Sequence, residues 1–440
     1  MYPNPQDVLP LPPRPSLEQY KKRAKELVKA ANSVGPAALR DWIENWMKTL
    51  ARLAEPKIAI RFIHEGSLAG QFEEFTRSRA RGAKLSLAQA HFILARAHGF
   101  ESWPRLAKHL AALARANSPT SAFELAADAI VSGDLPVLRR LLRENPGLVR
   151  LRSTREHQAT LLIYVSANGL ENYRQRTPRN IVAIAQLLLE AGADVNATAN
   201  VYGGHSTTLG LVATSVHPER AGVQEALMDL LLGGGATLEQ AVAPNYTSGL
   251  LVNACLANGR GHAAAYLATR GAQLDLEAAA GVGRIDVVRT FFDQAGTLKF
   301  PATELQRERA LMWSSEYGRT DVVEFLLEKG ASLDSRESTG LTALHWAIIG
   351  GQLDTIKLLL ARGASLETRN IHGGNALGQA LWAAVNDESG VDHIPAINLL
   401  LQAGARIEDW TLDWIAKQKN LSAATRARLI DVLQRHRAKS

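Results

Sequence analysis

A nine-residue phrase recurs in the second half of the sequence and restricts the kind of fold that the chain can adopt. Residues 326–334 read Leu-Leu-Glu-Lys-Gly-Ala-Ser-Leu-Asp, and residues 359–367 read Leu-Leu-Ala-Arg-Gly-Ala-Ser-Leu-Glu, 33 positions later. A period of this length indicates supersecondary units that stack on one another, since each is too small to bury its apolar face alone. The 440 residues therefore need no single large core.

Two short helices are predicted between these phrases. Thr342 is placed to cap the first helix, in which apolar residues recur at helical spacing, and Gly351 ends it. The second helix spans residues 354–361 and ends before Gly363, where a glycine suits the left-handed backbone that often follows a helix. Neither helix is long enough to be stable alone, so neighbouring units must stack.

The phrase Thr342-Ala-Leu-His-Trp-Ala347 resembles the signature of the ankyrin repeat, with Ala343 in place of the usual proline. The resemblance extends with falling clarity over residues 122–408. It implies that His345 forms hydrogen bonds that tie adjacent turns, and that the array presents a concave surface to another protein. We predict an all-α fold: an ankyrin-repeat solenoid of about eight layers, some with insertions, preceded by a small helical domain.

Three domains are predicted along the chain. Residues 1–118 form a basic helical N-terminal domain, residues 119–408 form the ankyrin-like repeats, and residues 409–440 form a C-terminal helical cap. The first 118 residues hold 19 Lys and Arg against 10 Asp and Glu, so the net charge of +7 originates at this end. Residues 88–106 resemble a segment that precedes ankyrin arrays in a set of bacterial proteins, which implies a bacterial source.

The N-terminal domain contains several helix signals. Ser16 and Ser86 each stand three positions before a glutamine, a spacing typical of the capping box at a helix start. These signals predict helices from Ser16 to residue 31 and from Ser86 to residue 98. Further helices are predicted over residues 36–53, over residues 58–76 and from Ser102 onward.

The repeats are unevenly spaced, and surplus residues fall between the two helices of three layers, at residues 168–180, 215–222 and 382–394. Insertions at one topological position project from the same edge, which is often the binding side. Neutral variation of surface loops explains them equally well. Trp410 and Trp414 precede a basic helix and are expected to cover the last layer as part of the cap.

Aromatic side chains at equivalent repeat positions indicate a binding surface. Trp313 and Trp346 are one period apart, and packing inside the array accounts for them as well as binding does. Tyrosine and tryptophan supply large contact areas, so we predict a protein partner on the concave face between residues 202 and 382. The predicted contacts are Trp313, Glu316, Tyr317, Trp346, Ile349 and Trp382, with Arg336, Glu337, Asn370 and His372 at the rim.

Nucleic-acid binding through the basic N-terminal domain is the second hypothesis. The run from residue 77 to residue 84 contains cations that could contact phosphates, although a solvated linker fits it too. The helix from Ser86 to His98, the turn at Gly99 and the helix that starts at Ser102 also fit a helix-turn-helix, whose second helix would present His109 beside two cations. The candidate contacts are Arg77, Arg79, Arg81, Lys84, Arg105 and Lys108.

An enzyme with a site under the insertions is the third hypothesis, although no hydrolase, P-loop or metalloprotease motif is present. A closed pocket lined by carboxylates of raised pKa would support it. The acid and base candidates are Glu171, Arg174, His217, Glu219 and Asp392. We predict no metal and no cofactor, because Cys255 is the only cysteine and the histidines form no ligand pattern. We expect a cytoplasmic protein, since neither a signal peptide nor a long apolar run is present.

Overall fold

The computed structural model describes residues 3–35, 37–51, 67–80, 82–115, 117–238, 249–386 and 390–437. The chain separates into two compact units, residues 1–254 and residues 255–440. The predicted domain boundaries after residues 118 and 408 stay predictions. No helix of the described ranges has both the length and the apolar character that crossing a membrane requires.

The first unit begins with an extended segment and a helical core. The helices are α1 (Leu17–Ala31), α2 (Ala37–Ala51), α3 (Ser67–Ala80), α4 (Leu87–Ala97) and α5 (Trp103–Leu113), after a 3₁₀ turn at Pro5–Asp7. Both predicted capping boxes are present, at Ser16 and at Ser86. The helix predicted over residues 58–76 lies partly outside the described residues, and its described part continues to Ala80. Apolar side chains such as Trp46 and Phe72 join these helices in one core.

Helix pairs follow in the remainder of the first unit. The elements are α6 (Pro119–Ser132), α7 (Leu135–Glu144), α8 (Ile181–Glu190), α9 (Thr208–Ala213), α10 (Val216–Arg220) and α11 (Gln224–Gly233), with 3₁₀ helices at Pro146–Arg150, Leu161–Ser166 and Asn172–Arg174. Two short strands, β1 (Thr198–Ala199) and β2 (Ser206–Thr207), pair antiparallel. The Leu161–Ser166 helix packs against α6 on one side and α9 on the other, so it serves as the first helix of its layer.

The second unit consists of further helix pairs. Its first residue, Cys255, lies within α12 (Leu251–Ala257). The next helices are α13 (Gly261–Thr269), α14 (Leu276–Val282), α15 (Ile285–Thr290), α16 (Glu304–Glu316), α17 (Thr320–Glu328), α18 (Ala343–Ile349), α19 (Leu353–Ala361), α20 (Ala376–Asn386) and α21 (Ile394–Gln402). First helices pack side by side in the order α14, α16, α18, α20, and second helices in the order α15, α17, α19, α21. A continuous core of alanine, leucine, isoleucine and valine joins them.

The predicted repeat unit is confirmed in α18 and α19. Thr342 stands at the N-cap of α18, and its hydroxyl lies 2.9 Å from Nδ1 of the buried His345. Gly351 and Gly363 adopt positive φ angles of 66° and 88° after the two helices, where a side chain would be strained. Local sequence therefore determines where both helices begin and end.

The prediction that an insertion begins at Trp382 is wrong, because the helix continues past this residue. Helix α20 continues to Asn386, because Leu377, Leu381 and Val385 recur every four residues and keep one face buried. Residues 387–389 of the predicted insertion lie outside the described residues. Trp382 is consequently a helical residue on the outer side of that buried face.

The chain ends with α22 (Thr411–Lys417) and α23 (Ala423–Arg437). Ile415 of α22 and Leu429 and Leu433 of α23 are buried in the same core as the last helix pair. Trp410, by contrast, is 52% exposed, so the expectation that it covers the last layer is wrong. Aliphatic side chains and the half-buried Trp414 provide that cover, whereas Trp410 remains available at the surface.

Candidate functional site

A cavity of about 660 Å³ opens at the surface of the second unit. It lies between the turn before α18, the turn before α20, the start of α20 and the residues around the start of α22. We call it the aromatic groove. The apolar residues that line it are Leu341, Ile349, Leu377, Leu381, Trp382, Trp410 and Trp414. Its volume falls within the range of roughly 300–1,000 Å³ that is typical of ligand pockets.

Three tryptophans give the aromatic groove its character. Trp382 is 54% exposed and Trp410 is 52% exposed, which is unusual for side chains of this size. Trp410 and Trp414 lie four positions apart, and their rings meet edge to face with 6.4 Å between centroids. The indole nitrogen of Trp410 donates a hydrogen bond to the carboxylate of Glu408, which fixes the ring. The tryptophans therefore present an apolar surface that is held in place.

Polar and charged residues form the rim of the aromatic groove. Asn370 fixes the turn before α20, since its Oδ1 accepts hydrogen bonds from the backbone N–H groups of His372 and Gly374 at 2.9 and 3.0 Å. Arg369 and Glu408 form an ion pair of 2.7 Å across the rim. The side chain of His372 is exposed. The rim thus combines an ordered turn with a neutralised pair of charges.

The structure divides the ten predicted partner contacts into two groups. Four of them line the aromatic groove: Ile349, Asn370, His372 and Trp382. The other six lie elsewhere on the second unit: Trp313, Glu316, Tyr317, Arg336, Glu337 and Trp346. Trp313 and Trp346 are half-buried, Arg336 is exposed, and Glu337 accepts a hydrogen bond of 2.9 Å from the hydroxyl of Thr339. Only four of the ten predicted contacts therefore share the lining of the aromatic groove.

Glu316 and Tyr317 are engaged inside the fold. The Tyr317 hydroxyl donates a hydrogen bond to the carbonyl oxygen of Leu256. Burial raises the pKa of Glu316 to about 8, and repulsion from Glu337 adds to this shift. A carboxyl group with this pKa is largely protonated near neutral pH, so a negative charge on Glu316 is disfavoured there.

Sequence reasoning missed Trp410, Trp414, Leu341 and Leu377 as groove residues. The available signal was the spacing of the two tryptophans, which places them on one face where α22 begins. That spacing indicates an aromatic pair, but it does not reveal which helix lies opposite.

The comparison with protein families identifies the central repeats. Residues 227–370 match the family model of ankyrin repeats in three copies. Residues 227–370 carry ankyrin repeats. The all-α ankyrin-repeat fold predicted from the sequence is thereby confirmed. None of the curated proteins compared with the chain matches it. Ankyrin repeats are generally modules of protein–protein interaction.

The aromatic groove begins within the matched ankyrin repeats and extends beyond them. Leu341 and Ile349 belong to a matched repeat, whereas Trp382, Trp410 and Trp414 follow residue 370. The ankyrin framework therefore supplies one wall. Helix α20, the N-cap of α22 and α22 itself lie outside that match and supply Trp382, Trp410 and Trp414.

Some of the cationic side chains predicted to contact nucleic acid are already engaged by other residues of the first unit. Arg77 forms an ion pair of 2.7 Å with Glu73, and Arg79 lies over the rings of Phe75 and Phe92. Arg81 lies outside the described residues, and Lys84 is exposed. The run therefore offers fewer free cations than its sequence suggests.

Helix α5 corrects one part of the helix-turn-helix prediction. Arg105 and Lys108 are exposed on it. His109 is buried instead, and its Nδ1 lies 2.7 Å from the hydroxyl of Thr154. A residue held in this way cannot be presented to DNA.

The enzyme candidates are held in ion pairs. Glu171 is fully buried and lies 3.2 Å from Arg155 and 2.8 Å from Arg174. Burial by itself would raise the pKa of Glu171, but these two guanidinium groups hold it well below the usual range. Asp392 pairs with Arg428 at 2.7 Å, which lowers its pKa too.

His217 and Glu219 lie in and around the short helix α10. Burial raises the pKa of Glu277 and Glu316 in the second unit, outside the three insertions, and also the pKa of Asp128 on α6, which pairs with Arg174 of the first insertion at 2.7 Å. Among the described residues, no group of three or more His, Cys, Asp or Glu side chains is placed to hold a metal ion.

Proposed function

We propose that the chain is a protein-interaction module whose partner binds in the aromatic groove. The observation that carries the proposal is the exposure of Trp382 and Trp410 on the walls of one cavity. Tryptophan is enriched among the residues that dominate the free energy of protein interfaces. A groove that holds two such rings open to solvent is suited to receive an apolar side chain from another protein.

The charges at the rim favour a particular partner chemistry. Arg406 lines the groove, is exposed and has no ion-pair partner among the described residues, whereas Arg369 and Glu408 neutralise each other. A peptide segment with an aromatic or long aliphatic side chain next to Asp or Glu would fill the groove and meet Arg406. Charge pairing of this kind acts mainly on specificity and on the rate of association.

Affinity purification from the native host with three versions of the full chain tests this proposal. The groove variant is Trp382→Ala with Trp410→Ala. The control is Leu305→Ala, which truncates a side chain that is 54% exposed elsewhere in the second unit. We expect the control to retain partners that the groove variant loses. Equal recovery of every partner by both variants would refute binding in the groove.

We propose four further properties of the protein from its sequence. They are a bacterial source, a cytoplasmic location, the three domains of residues 1–118, 119–408 and 409–440, and a scaffold role. The partner surface that we propose is narrower than the predicted concave face between residues 202 and 382. A third variant, Trp313→Ala with Arg336→Ala, separates the two surfaces, since neither residue lines the groove and only the wider concave surface predicts that it loses the partner.

A further inference from the structure

The first unit contains a second, larger cavity, of about 1370 Å³. It lies between α5, the start of α6, the loop of residues 152–158, the turn of residues 200–205 and the extended segment at residues 3–6. We call it the basic cleft. Its walls come from segments that are distant in sequence, so the repeat period gives no indication of it.

The basic cleft carries more positive charge than its own acidic residues neutralise. Arg105, Lys108 and Arg115 line it and are exposed, and their side chains have no hydrogen-bond or ion-pair partner among the described residues. Arg152 donates to the backbone carbonyl oxygens of Gln158 and Thr198 at 2.9 and 2.7 Å, which leaves its charge uncompensated.

Only a small part of this charge is offset by carboxylates. Glu156 is paired with Arg96, and Arg155 is paired with Glu124 and Glu171. Glu101 is the remaining carboxylate in the lining. Four cations therefore face one free carboxylate, and an anion that entered the cleft would gain Coulomb energy from several sides.

Two buried nitrogen atoms in the lining lack partners. Nε of Arg155 and Nε2 of His109 are buried without a hydrogen bond in the described structure, and both side chains are at least 98% buried. Because both atoms are enclosed by protein, the exposed cations, and not these two nitrogens, would contact an anion in the cleft. Residues 118–120 at the N-terminus of α6 also line the cleft, and the helix dipole there favours an anion.

We propose that the basic cleft binds a small anion that carries several phosphate groups. Arg105 lies in the first turn of α5 and Arg115 lies two residues beyond its end, a separation of roughly 15 Å at helical rise, which favours an anion with several phosphate groups over a single phosphate. Tyr202 is the only aromatic residue other than His109 and His205 in the described lining, so the cleft lacks the stacking platforms that bind single-stranded nucleic acids. These features favour a compact polyphosphate over a nucleic-acid strand.

Titration calorimetry of the full chain with sodium tripolyphosphate tests the proposal. The cleft variant combines Arg105→Gln, Lys108→Gln and Arg115→Gln, all at exposed positions. The control combines Arg139→Gln, Arg140→Gln and Arg143→Gln, which removes the same charge from the exposed face of α7. We expect the cleft variant to weaken the Kd at least about tenfold and the control to change it less than about twofold, because only the former loses direct contacts.

Three results would overturn the proposal. They are no binding of tripolyphosphate at about 50 mM salt, equal weakening in both variants, and tighter binding of a short single-stranded DNA that the cleft variant alone loses. The last result would assign the cleft to nucleic acid instead. Inorganic phosphate serves as a further probe, and we expect it to bind more weakly than tripolyphosphate. Circular dichroism of both variants verifies that each remains folded.

Discussion

The hydroxyl group of Tyr317 donates a hydrogen bond to the carbonyl oxygen of Leu256, so the end of α16 is tied to the end of α12. The Tyr317 ring also occupies the space beside Gly261, where a Cβ atom would lie 2.5 Å from two ring carbons. A residue that the repeat position marks as a binding contact is therefore a structural connection within the second unit.

We expect Tyr317→Phe to lower the free energy of unfolding by about 1 kcal/mol, because it removes one hydrogen bond and leaves the Leu256 carbonyl without this partner. Gly261→Ala should also destabilise, because the added methyl group would displace the ring. Urea denaturation of each variant gives these values. Unchanged stability in both variants would show that the connection contributes nothing.

We expect Gly350→Ala to lower the free energy of unfolding more than Tyr317→Phe does. A Cβ atom at Gly350 would overlap the backbone carbonyl oxygen of Glu316, and backbone atoms cannot swing aside as a flexible side chain can. We expect a loss of about 2 kcal/mol or more. Gly70→Ala is the control, since no atom lies within 4 Å of its new methyl group and alanine favours the helix by about 1 kcal/mol. Thermal unfolding that ranks the two variants in the opposite order would contradict the packing.

The contribution of Glu277 to stability should fall as the pH rises from 5 to 8. Burial, with repulsion from Asp275, raises the pKa of Glu277 to about 7. A group whose pKa is raised in the folded state stabilises the fold below its unfolded pKa, and this contribution is lost as the pH rises through the folded pKa. Glu277→Gln should therefore gain stability over the natural chain at pH 8 and gain less at pH 5.

Denaturation curves at the two pH values measure this effect. Glu328→Gln is the matched control, because it removes a carboxylate from an exposed position of the same unit. A pH dependence that Glu277→Gln leaves intact would mean that other groups cause it.

The ionic cluster around Glu171 should be costly to break. Glu171→Ala leaves the buried Arg155 and Arg174 with fewer counter-charges, which typically costs about 3–5 kcal/mol. Glu144→Ala removes an exposed partner of Arg140 at 4.0 Å and should cost at most about 0.5 kcal/mol. Chemical denaturation compares the two. A similar small loss in both variants would argue that the cluster is not a structural element.

The repeats could be predicted from the sequence because local signals determine them. Thr342 and Gly363 act on their own helices, through a cap and a left-handed turn, and neither depends on the remainder of the fold. The helical period likewise gives the buried face of α20, which the sequence prediction ended too early at Trp382.

The two cavities could not be predicted in the same way. The aromatic groove depends on how α22 packs beyond the last repeat, and that contact brings Trp410 near Trp382 without any spacing rule. The basic cleft likewise brings Arg115 and Arg152 together from different segments. Long-range packing of this kind leaves no periodic trace in one sequence.

Hydrogen–deuterium exchange of the chain with and without its purified partner tests the central proposal most directly. We predict that the partner slows exchange at residues 370–382 and 406–414, the segments that form the aromatic groove, and that Trp382→Ala with Trp410→Ala abolishes this protection. Protection confined to residues 311–349, with none around Trp382 and Trp410, would contradict binding in the groove.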